Sequence, residues 1–189
     1  LGIDNEEKLT GRGVGYCAIC DGGFYRNKVV AVNGGGDTAV EDALYLSRIA
    51  SKVYIIHRRD EFRANKTLQT RLFESGVEPV LNSTIKEIVG QDKLEYITTV
   101  DKNTGEERRL DIDGLFVAIG GIPTSDLVKD LVELNPQGYV ITNEDCETSV
   151  PGIYAVGDIR QKSLRQVITA AADGAIAVHA AEKYILENK

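Results

Sequence analysis

The sequence has 189 residues, which is enough for one large domain or for a compact domain with a smaller lobe. Its 29 acidic residues outnumber 22 Lys and Arg, so the net charge of −7 disfavours a nucleic acid or an anionic membrane as a partner. No apolar run approaches the roughly 18 residues of a membrane span, and the first residues are too polar and acidic for a signal peptide. We therefore expect a cytoplasmic protein.

The spacing of apolar residues predicts an α/β fold for the first part of the chain. Residues 28–32 form a β-branched run typical of a buried parallel strand, residues 37–49 repeat apolar side chains at helical spacing, and residues 52–56 form a second strand. With the Gly-rich turn between them, these segments make one right-handed βαβ unit. A helix over 65–75 and a third strand over 77–81 extend the parallel sheet.

An antiparallel insert and a second part of the chain follow. Alternating residues over 85–89 and 94–100, with a strand over 107–111, predict a small antiparallel sheet, and 115–119 read as another buried strand. We predict a Rossmann-like domain over residues 1–119 and a second part over residues 120–189. In that second part we predict a helix over 126–131, strands over 139–142 and 153–156, and a long Ala-rich helix over 166–186.

A Gly-rich turn lies between the first strand and the first helix of this βαβ unit. Its sequence, Gly-Gly-Gly-Asp-Thr-Ala over 34–39, fits the dinucleotide-binding fingerprint G-x-G-x-x-A. In such a turn Gly34 makes the tight bend, Gly36 lets the backbone approach a pyrophosphate, and the helix N-terminus with Asp37 and Thr38 favours phosphate charge. The alternative is a Gly-rich turn that binds no ligand.

The end of the second strand indicates which nicotinamide coenzyme would bind. Proteins that bind NAD usually place an acidic residue there to hold the ribose 2′-hydroxyl. This chain has His57, Arg58 and Arg59 instead, with Arg63 one turn further on. Guanidinium groups pair with phosphate oxygens in a bidentate manner, so the pattern predicts a 2′-phosphate and hence NADPH. The alternative is a solvated basic turn.

A C-x-x-C motif precedes the first strand. Its spacing brings Cys17 and Cys20 within disulfide reach and makes one thiolate easier to form, and Asp21 is placed to move a proton to a departing thiolate. A structural zinc site would need four ligands, and the other candidates are isolated in sequence, so we predict a redox pair and no metal. Inert thiols are the remaining alternative. We expect Cys146 to be a small buried or partly exposed residue.

The order of these motifs resembles bacterial-type, low-molecular-weight thioredoxin reductases. The resemblance is carried by residues 17–25 (CAICDGGFY), 34–43 (GGGDTAVEDA) and 57–64 (HRRDEFRA). Residues 149–158 (SVPGIYAVGD) resemble the second FAD motif of that family, and residues 165–174 (RQVITAAADG) resemble the start of its terminal helix.

The resemblance implies an oxidoreductase that passes electrons from NADPH through FAD to the dithiol and then to thioredoxin. It implies a homodimer for the full-length enzyme. It also implies that Cys20 faces the flavin and that Cys17 exchanges with thioredoxin. The implied FAD contacts are Asp158 at the ribityl and phosphate region, and Arg165, Gln166 and Val167 beside the isoalloxazine ring.

One part of the family pattern has no counterpart in this sequence. The family begins with its own G-x-G-x-x-G unit, which holds the FAD pyrophosphate, and no G-x-G-x-x-G occurs in this sequence. We therefore expect a truncated form with an incomplete FAD site. Two other functions stay open: a non-catalytic NADPH-binding module, and the flavoprotein reductase of a peroxiredoxin, although that family prefers Pro where this chain has Ala18.

Overall fold

The structure, a computed structural model, describes residues 1–188. It divides into two compact units, Leu1–Ile119 and the residues from Gly120 onward. Among the described residues, no helix combines the length and the apolar character needed to cross a membrane.

Strands and helices alternate along the first unit as far as β4, and four more strands follow without a helix between them. The strands are β1 (Val14–Gly15), β2 (Val29–Asn33), β3 (Lys52–Ile56), β4 (Glu78–Val80), β5 (Ser83–Val89), β6 (Tyr96–Asp101), β7 (Glu107–Asp111) and β8 (Gly114–Val117). The helices are α1 (Ala18–Asp21), α2 (Asp37–Leu46), α3 (Lys66–Glu74) and, in the second unit, α4 (Val167–Glu187), with short 3-10 turns at Gly22–Tyr25 and Gly157–Ile159.

Two sheets form the first unit. A parallel sheet has the strand order β1-β8-β2-β3-β4, and an antiparallel sheet has the order β5-β6-β7 with an irregularity in register between Ile85 and Glu87. The predicted α/β fold, a parallel sheet with an antiparallel insert, is therefore confirmed. Strand β3 has the predicted bounds, and β2 begins and ends one residue later than predicted.

The parallel sheet has an apolar core on each face. Alternate β2 residues Val30 and Val32 pack in one cluster with Ala39 and Val40 of α2 and Leu68 of α3. The opposite face joins a second cluster, which includes Ala31, Tyr54 and Leu115 from the parallel sheet and Ile88 and Ile97 from the antiparallel sheet. The unit thus has three layers, with the parallel sheet in the middle.

Local hydrogen bonds set the helix bounds. Helix α2 ends at Leu46 rather than at the predicted residue 49, because the backbone closes there into turns at Ser47 and Ile49. Helix α3 begins after Asn65, whose side chain accepts a hydrogen bond from the Leu68 N–H and so caps the helix. Strand β1 and helix α1 were not predicted, since neither is long enough to show a period.

The second unit departs from the prediction. Residues 126–131 form turns rather than a helix, because so short a segment gains too few hydrogen bonds to offset helix nucleation. The predicted strands over 139–142 and 153–156 are reduced to isolated bridges, such as Val140 with Arg160 and Glu147 with Tyr154. Within the described residues these segments have no neighbour long enough to form a ladder. The long terminal helix is confirmed as α4.

Candidate functional site

The Gly-rich turn joins β2 to α2 at the carboxyl end of the parallel sheet. A Cβ atom at Gly34 would collide with the carbonyl oxygen of Ala118 and with the Ala39 side chain, and one at Gly35 would collide with the His57 ring. At Gly36 a Cβ atom would meet no atom within 4 Å. Two glycines are therefore needed for packing, while the third faces open space at the start of α2.

The first turn of α2 leaves its backbone N–H groups free of side-chain capping. Its N-cap is Gly36, which has no side chain to cap with. The Asp37 carboxylate is directed elsewhere, because its Oδ1 accepts hydrogen bonds from the Asn65 backbone N at 2.8 Å and from Nδ2 at 3.3 Å. Thr38 is exposed in the same turn. The positive end of the helix dipole thus meets the open space beside Gly36.

The arginine segment is attached directly to this turn. The Gly35 carbonyl oxygen accepts hydrogen bonds from the backbone N–H of Arg63 at 2.7 Å and of Ala64 at 3.1 Å. The side chains of Arg58, Arg59 and Arg63 are all exposed. The structure therefore brings the Gly-rich turn and the predicted arginines together at one edge of the sheet.

His57 lies between the two segments. Its ring packs against Gly35 and stacks on Phe62 with the ring centroids 5.6 Å apart. Burial lowers the pKa of His57, and the positive charges of Arg63, Arg59 and Arg58 lower it further. Its Nε2 is buried and has no hydrogen-bond partner among residues 1–188. The arginines are therefore close enough to His57 for their charge to lower its pKa.

The two cysteines of the C-x-x-C motif form a disulfide. Cys17 and Cys20 are bonded, with their Cα atoms 5.3 Å apart. Cys17 is the N-cap of α1, and its Sγ accepts a hydrogen bond from the Cys20 backbone N at 3.2 Å. Cys20 is the more exposed of the two. The half-buried Asp21 follows at once, and its charge contributes, after burial, to the raised pKa of Tyr25.

Three large apolar side chains near the disulfide in sequence are exposed. Tyr16, Ile19 and Phe24 are 55%, 60% and 77% exposed, and all three lie within four residues of a cysteine. Cys146, in the second unit, is fully buried as predicted. Among the described residues no group of three or more His, Cys, Asp or Glu side chains could hold a metal ion.

The predicted FAD contacts lie together in the second unit. Asp158 is exposed in the 3-10 turn that begins at Gly157, and Arg165, Gln166 and Val167 lie at the start of α4. The Arg165 guanidinium stacks over the Tyr139 ring at 4.1 Å, and its Nε is buried without a hydrogen-bond partner among residues 1–188.

A buried carboxylate that the sequence analysis missed ties these elements to each other. Asp173 of α4 accepts hydrogen bonds from the Gly157 backbone N at 2.9 Å, from Arg160 Nη1 at 2.8 Å and from Lys162 Nζ at 2.6 Å. Gly157 has φ +74°, so a residue with a side chain would be strained there. The only sequence signal for this network was a carboxylate beside the Ala residues at 170–172 of α4.

Comparison with known proteins agrees with the motifs. The chain is 48% identical to the thioredoxin reductase of Bacillus subtilis and 46% identical to that of Listeria monocytogenes, over 99% and 100% of its length. It is similar to the crystal structure of thioredoxin reductase from Streptococcus pyogenes, with 44% identity and a TM-score of 0.93 over 99% of this chain and 62% of that one. The predicted resemblance to thioredoxin reductases is confirmed.

The matches cover nearly all of this chain but only part of each relative. The chain spans 60% of the length of the two curated relatives. The family model for the pyridine nucleotide-disulphide oxidoreductases matches residues 1–174, which includes both the Gly-rich turn and the disulfide. The chain therefore belongs to the pyridine nucleotide-disulphide oxidoreductase family.

Proposed function

We propose that this chain supplies the NADPH site and the redox dithiol of an NADPH-dependent thioredoxin-disulfide reductase. The observation that carries the proposal is that the Cys17–Cys20 disulfide and the arginine-flanked Gly-rich turn belong to one compact unit, Leu1–Ile119. The names of the relatives support the reaction and the partner. A reducing cytoplasm suits such a dithiol, and a homodimer is proposed for the full-length enzyme.

The residues present fit NADPH. Open space beside Gly36 and the uncapped first turn of α2 suit a pyrophosphate, since backbone N–H groups and the helix dipole both favour its charge. The exposed guanidinium groups of Arg58, Arg59 and Arg63 suit the 2′-phosphate that distinguishes NADPH from NADH. The unpartnered Nε2 of His57 lies beside the same arginines.

The dithiol suits exchange with another disulfide. After two-electron reduction, which also takes up two protons, the Cys17 thiolate attacks one sulfur of the partner disulfide and the partner's other sulfur leaves as a thiolate. The Cys20 thiolate then attacks Cys17 Sγ, which re-forms the intramolecular disulfide and releases the partner as a dithiol. The hydrogen bond from Cys20 N to Cys17 Sγ favours negative charge on that sulfur, and Asp21, the residue after Cys20, is the group proposed to donate or accept the proton.

A protein is the partner that the surface favours. Tyr16, Ile19 and Phe24 expose large apolar side chains around the disulfide, and such clusters are typical of protein contact sites.

Bound FAD would supply the electron transfer between NADPH and the disulfide. Asp158, on the turn that Asp173 holds through Gly157 N, and residues 165–167 at the start of α4 would bind part of it.

The coenzyme assignment is tested by calorimetry on the 189-residue chain. We expect NADPH to bind at least about tenfold more tightly than NADH, because a charge-assisted hydrogen bond is worth about 1.5–3 kcal/mol. The double variant Arg58→Ala/Arg59→Ala should lose about 10- to 100-fold in NADPH affinity and little in NADH affinity. The matched control, Arg26→Ala/Arg71→Ala, removes two exposed arginines elsewhere. Equal affinity of the wild-type chain for both coenzymes would contradict the assignment.

The dithiol assignment is tested with a thioredoxin whose resolving cysteine is replaced by serine and whose remaining thiol carries nitrothiobenzoate. We expect the reduced Cys20→Ser variant to release nitrothiobenzoate and form a stable mixed disulfide faster than Cys17→Ser does. Phe24→Ala should slow the reaction with this thioredoxin but not with free Ellman's reagent, because only the protein uses the apolar surface. The reactivity of Cys17→Ser/Cys20→Ser measures the background from Cys146.

Two results of this experiment would count against the proposal. Mixed-disulfide formation by Cys17→Ser/Cys20→Ser at the rate of the single variants would assign the chemistry to Cys146. An unreactive Cys20→Ser beside a reactive Cys17→Ser would reverse the roles proposed for the two sulfurs. A peroxiredoxin reductase remains the alternative, and a preference for a peroxiredoxin-linked disulfide domain over thioredoxin in the same assay would favour it.

A further inference from the structure

Asn33 is a polar residue at the end of an otherwise apolar strand. Strand β2 has the sequence Val-Val-Ala-Val-Asn, and its last residue is half-buried. The backbone of Asn33 is used by the sheet, since it pairs with Ile56 on β3 and Val117 on β8 and its carbonyl oxygen accepts a hydrogen bond from Ala118 N at 2.8 Å. Its side-chain amide makes no hydrogen bond within residues 1–188.

Its position in the sheet is the one where parallel sheets bind ligands. From β2 the chain builds β3 and β4 on one side of the sheet and later returns to place β8 on the other side. The crevice at the carboxyl ends of β2 and β8 is therefore the topological switch point. Asn33 is the last residue of β2 at that crevice.

The side chain faces away from the helix that covers the neighbouring glycines. Val30 and Val32 belong to the core beneath α2, whereas Ala31 belongs to the core on the opposite face. Because successive side chains of a strand alternate between faces, Asn33 lies on the same face as Ala31. Helix α2 therefore does not cover the amide; this is the face on which the antiparallel sheet packs, and Asn33 lies at the carboxyl end of β2 there, half-buried.

The same geometry orders the parts of the coenzyme along the sheet edge. The arginines that suit the 2′-phosphate follow β3, and the turn that suits the pyrophosphate follows β2. The rest of a dinucleotide that spans these two sites must continue to the other side of β2, toward the end of β8. That is the half of NADPH that carries the nicotinamide and its ribose.

We infer that the Asn33 side-chain amide hydrogen-bonds the nicotinamide-riboside half of NADPH. An amide presents one acceptor and two donor hydrogens, which match the hydroxyl groups of the ribose or the carboxamide of the nicotinamide. Asn33 is then a binding residue for the reacting half of the coenzyme, distinct from the arginines at its adenosine end. The inference rests on the proposed function, because it requires NADPH at this turn.

Two probes that share the adenosine end of the coenzyme test the inference. NADPH carries the nicotinamide half, and 2′,5′-ADP has only the 2′-phosphate, the adenosine and one 5′-phosphate. Calorimetry with the full 189-residue chain should show that Asn33→Val weakens NADPH binding about three- to tenfold, the value of one hydrogen bond, and leaves 2′,5′-ADP binding unchanged. Asn33→Asp, of nearly the same shape, should weaken NADPH binding more, because it adds negative charge beside the pyrophosphate.

The control variants separate this inference from the proposed function. Arg58→Ala/Arg59→Ala should weaken the binding of both probes, because both carry the 2′-phosphate. The unchanged 2′,5′-ADP affinity of Asn33→Val serves as its own control for folding of the turn. An equal loss for both probes would make Asn33 a structural residue, and no loss for either would leave the amide outside the site; both results overturn the inference alone. A wild-type chain that binds neither probe would overturn the proposed function as well.

Discussion

Asp173 is a buried carboxylate on which three separate groups of the second unit depend. It accepts hydrogen bonds from the Gly157 backbone N, from Arg160 and from Lys162. Burial alone would raise its pKa, but the hydrogen bonds from Lys162 and Gly157 and the charge of Arg160 outweigh burial and lower it. The ionised form is therefore the one that holds the turn carrying Asp158.

Replacing Asp173 with Asn should loosen the second unit and leave the first unit unchanged. The variant leaves Arg160 and Lys162 without their counter-charge, and removing one partner of a buried ion pair costs up to about 3–5 kcal/mol. Hydrogen exchange measured by mass spectrometry should show faster exchange from Gly157 onward and no change over Leu1–Ile119. Asp158→Asn, which alters an exposed carboxylate on the same turn, is the control.

The same carboxylate predicts a pH dependence with a definite sign. Because the pKa of Asp173 is lower in the folded chain than in the unfolded chain, its contribution to stability is present above about pH 4. The contribution is lost as the pH falls through and below that value. Protection of the second unit, corrected for intrinsic exchange rates, should therefore fall on acidification in the wild type and change less in Asp173→Asn. Equal pH dependence in both chains would contradict this role.

Residues that act through local sequence were predictable, and residues that act through distant partners were not. The C-x-x-C spacing predicted the Cys17–Cys20 bond, since three residues suffice to bring the sulfurs together. Nothing near Asp173 in sequence indicated that Arg160 and Gly157 would reach it, because the chain must first fold α4 back onto that turn. Tyr139 beneath the Arg165 guanidinium was missed for the same reason.

At the level of elements, the prediction succeeded where an element is buried on both faces. Strands β2 and β3 lie between two apolar cores, so a buried parallel strand is the stable structure for their runs of β-branched residues. Their predicted bounds agree with the structure within one residue. Strand β1 failed because two residues carry no period, although its parallel pairing with β8 extends the sheet. The predicted C-terminal end of helix α2 was three residues too late. Apolar Ile49 continues the helical spacing of the sequence but lies in the turn that follows the helix.

The elements of the second unit were predicted from the same patterns with less success. Segments 139–142 and 153–156 have strand-like composition, but a strand requires a partner over several residues, and the described residues provide only bridges. Helix α4 was predicted well because its 21 residues hold a continuous Ala-rich sequence without Pro. A long helix satisfies its backbone within itself, whereas a strand depends on a neighbour.

For the whole molecule, the dinucleotide fingerprint lies between a five-residue strand and a ten-residue helix at one place, in the first unit. Residues 34–39 carry it, attached to the arginine segment by the Gly35 carbonyl oxygen. In the second unit, Asp158 and the start of α4 are the proposed flavin contacts. From residue 120 to residue 188 the structure has no strand followed by a Gly-rich turn and a helix, which is the arrangement that cradles a pyrophosphate.

We therefore expect the 189-residue chain to bind NADPH and to hold FAD weakly or not at all. Its flavin contacts would lack a pyrophosphate cradle, and ordering further segments around the flavin costs about 1–2 kcal/mol per fixed residue. Gel filtration of the chain with excess FAD should give a colourless protein peak, and no NADPH-dependent reduction of thioredoxin should follow. Asp158→Ala should have no effect on this result, because one contact cannot replace the cradle.

Addition of the part of the Bacillus subtilis relative that this chain does not match should restore both colour and turnover, either fused to the chain or as a separate piece. That piece would supply the cradle, so in the restored complex Asp158→Ala should weaken FAD retention. The Cys17→Ser/Cys20→Ser chain should regain colour without turnover, which separates flavin binding from the dithiol chemistry. Stoichiometric FAD on the chain alone would contradict the prediction, and would mean that a second copy of the chain completes the site.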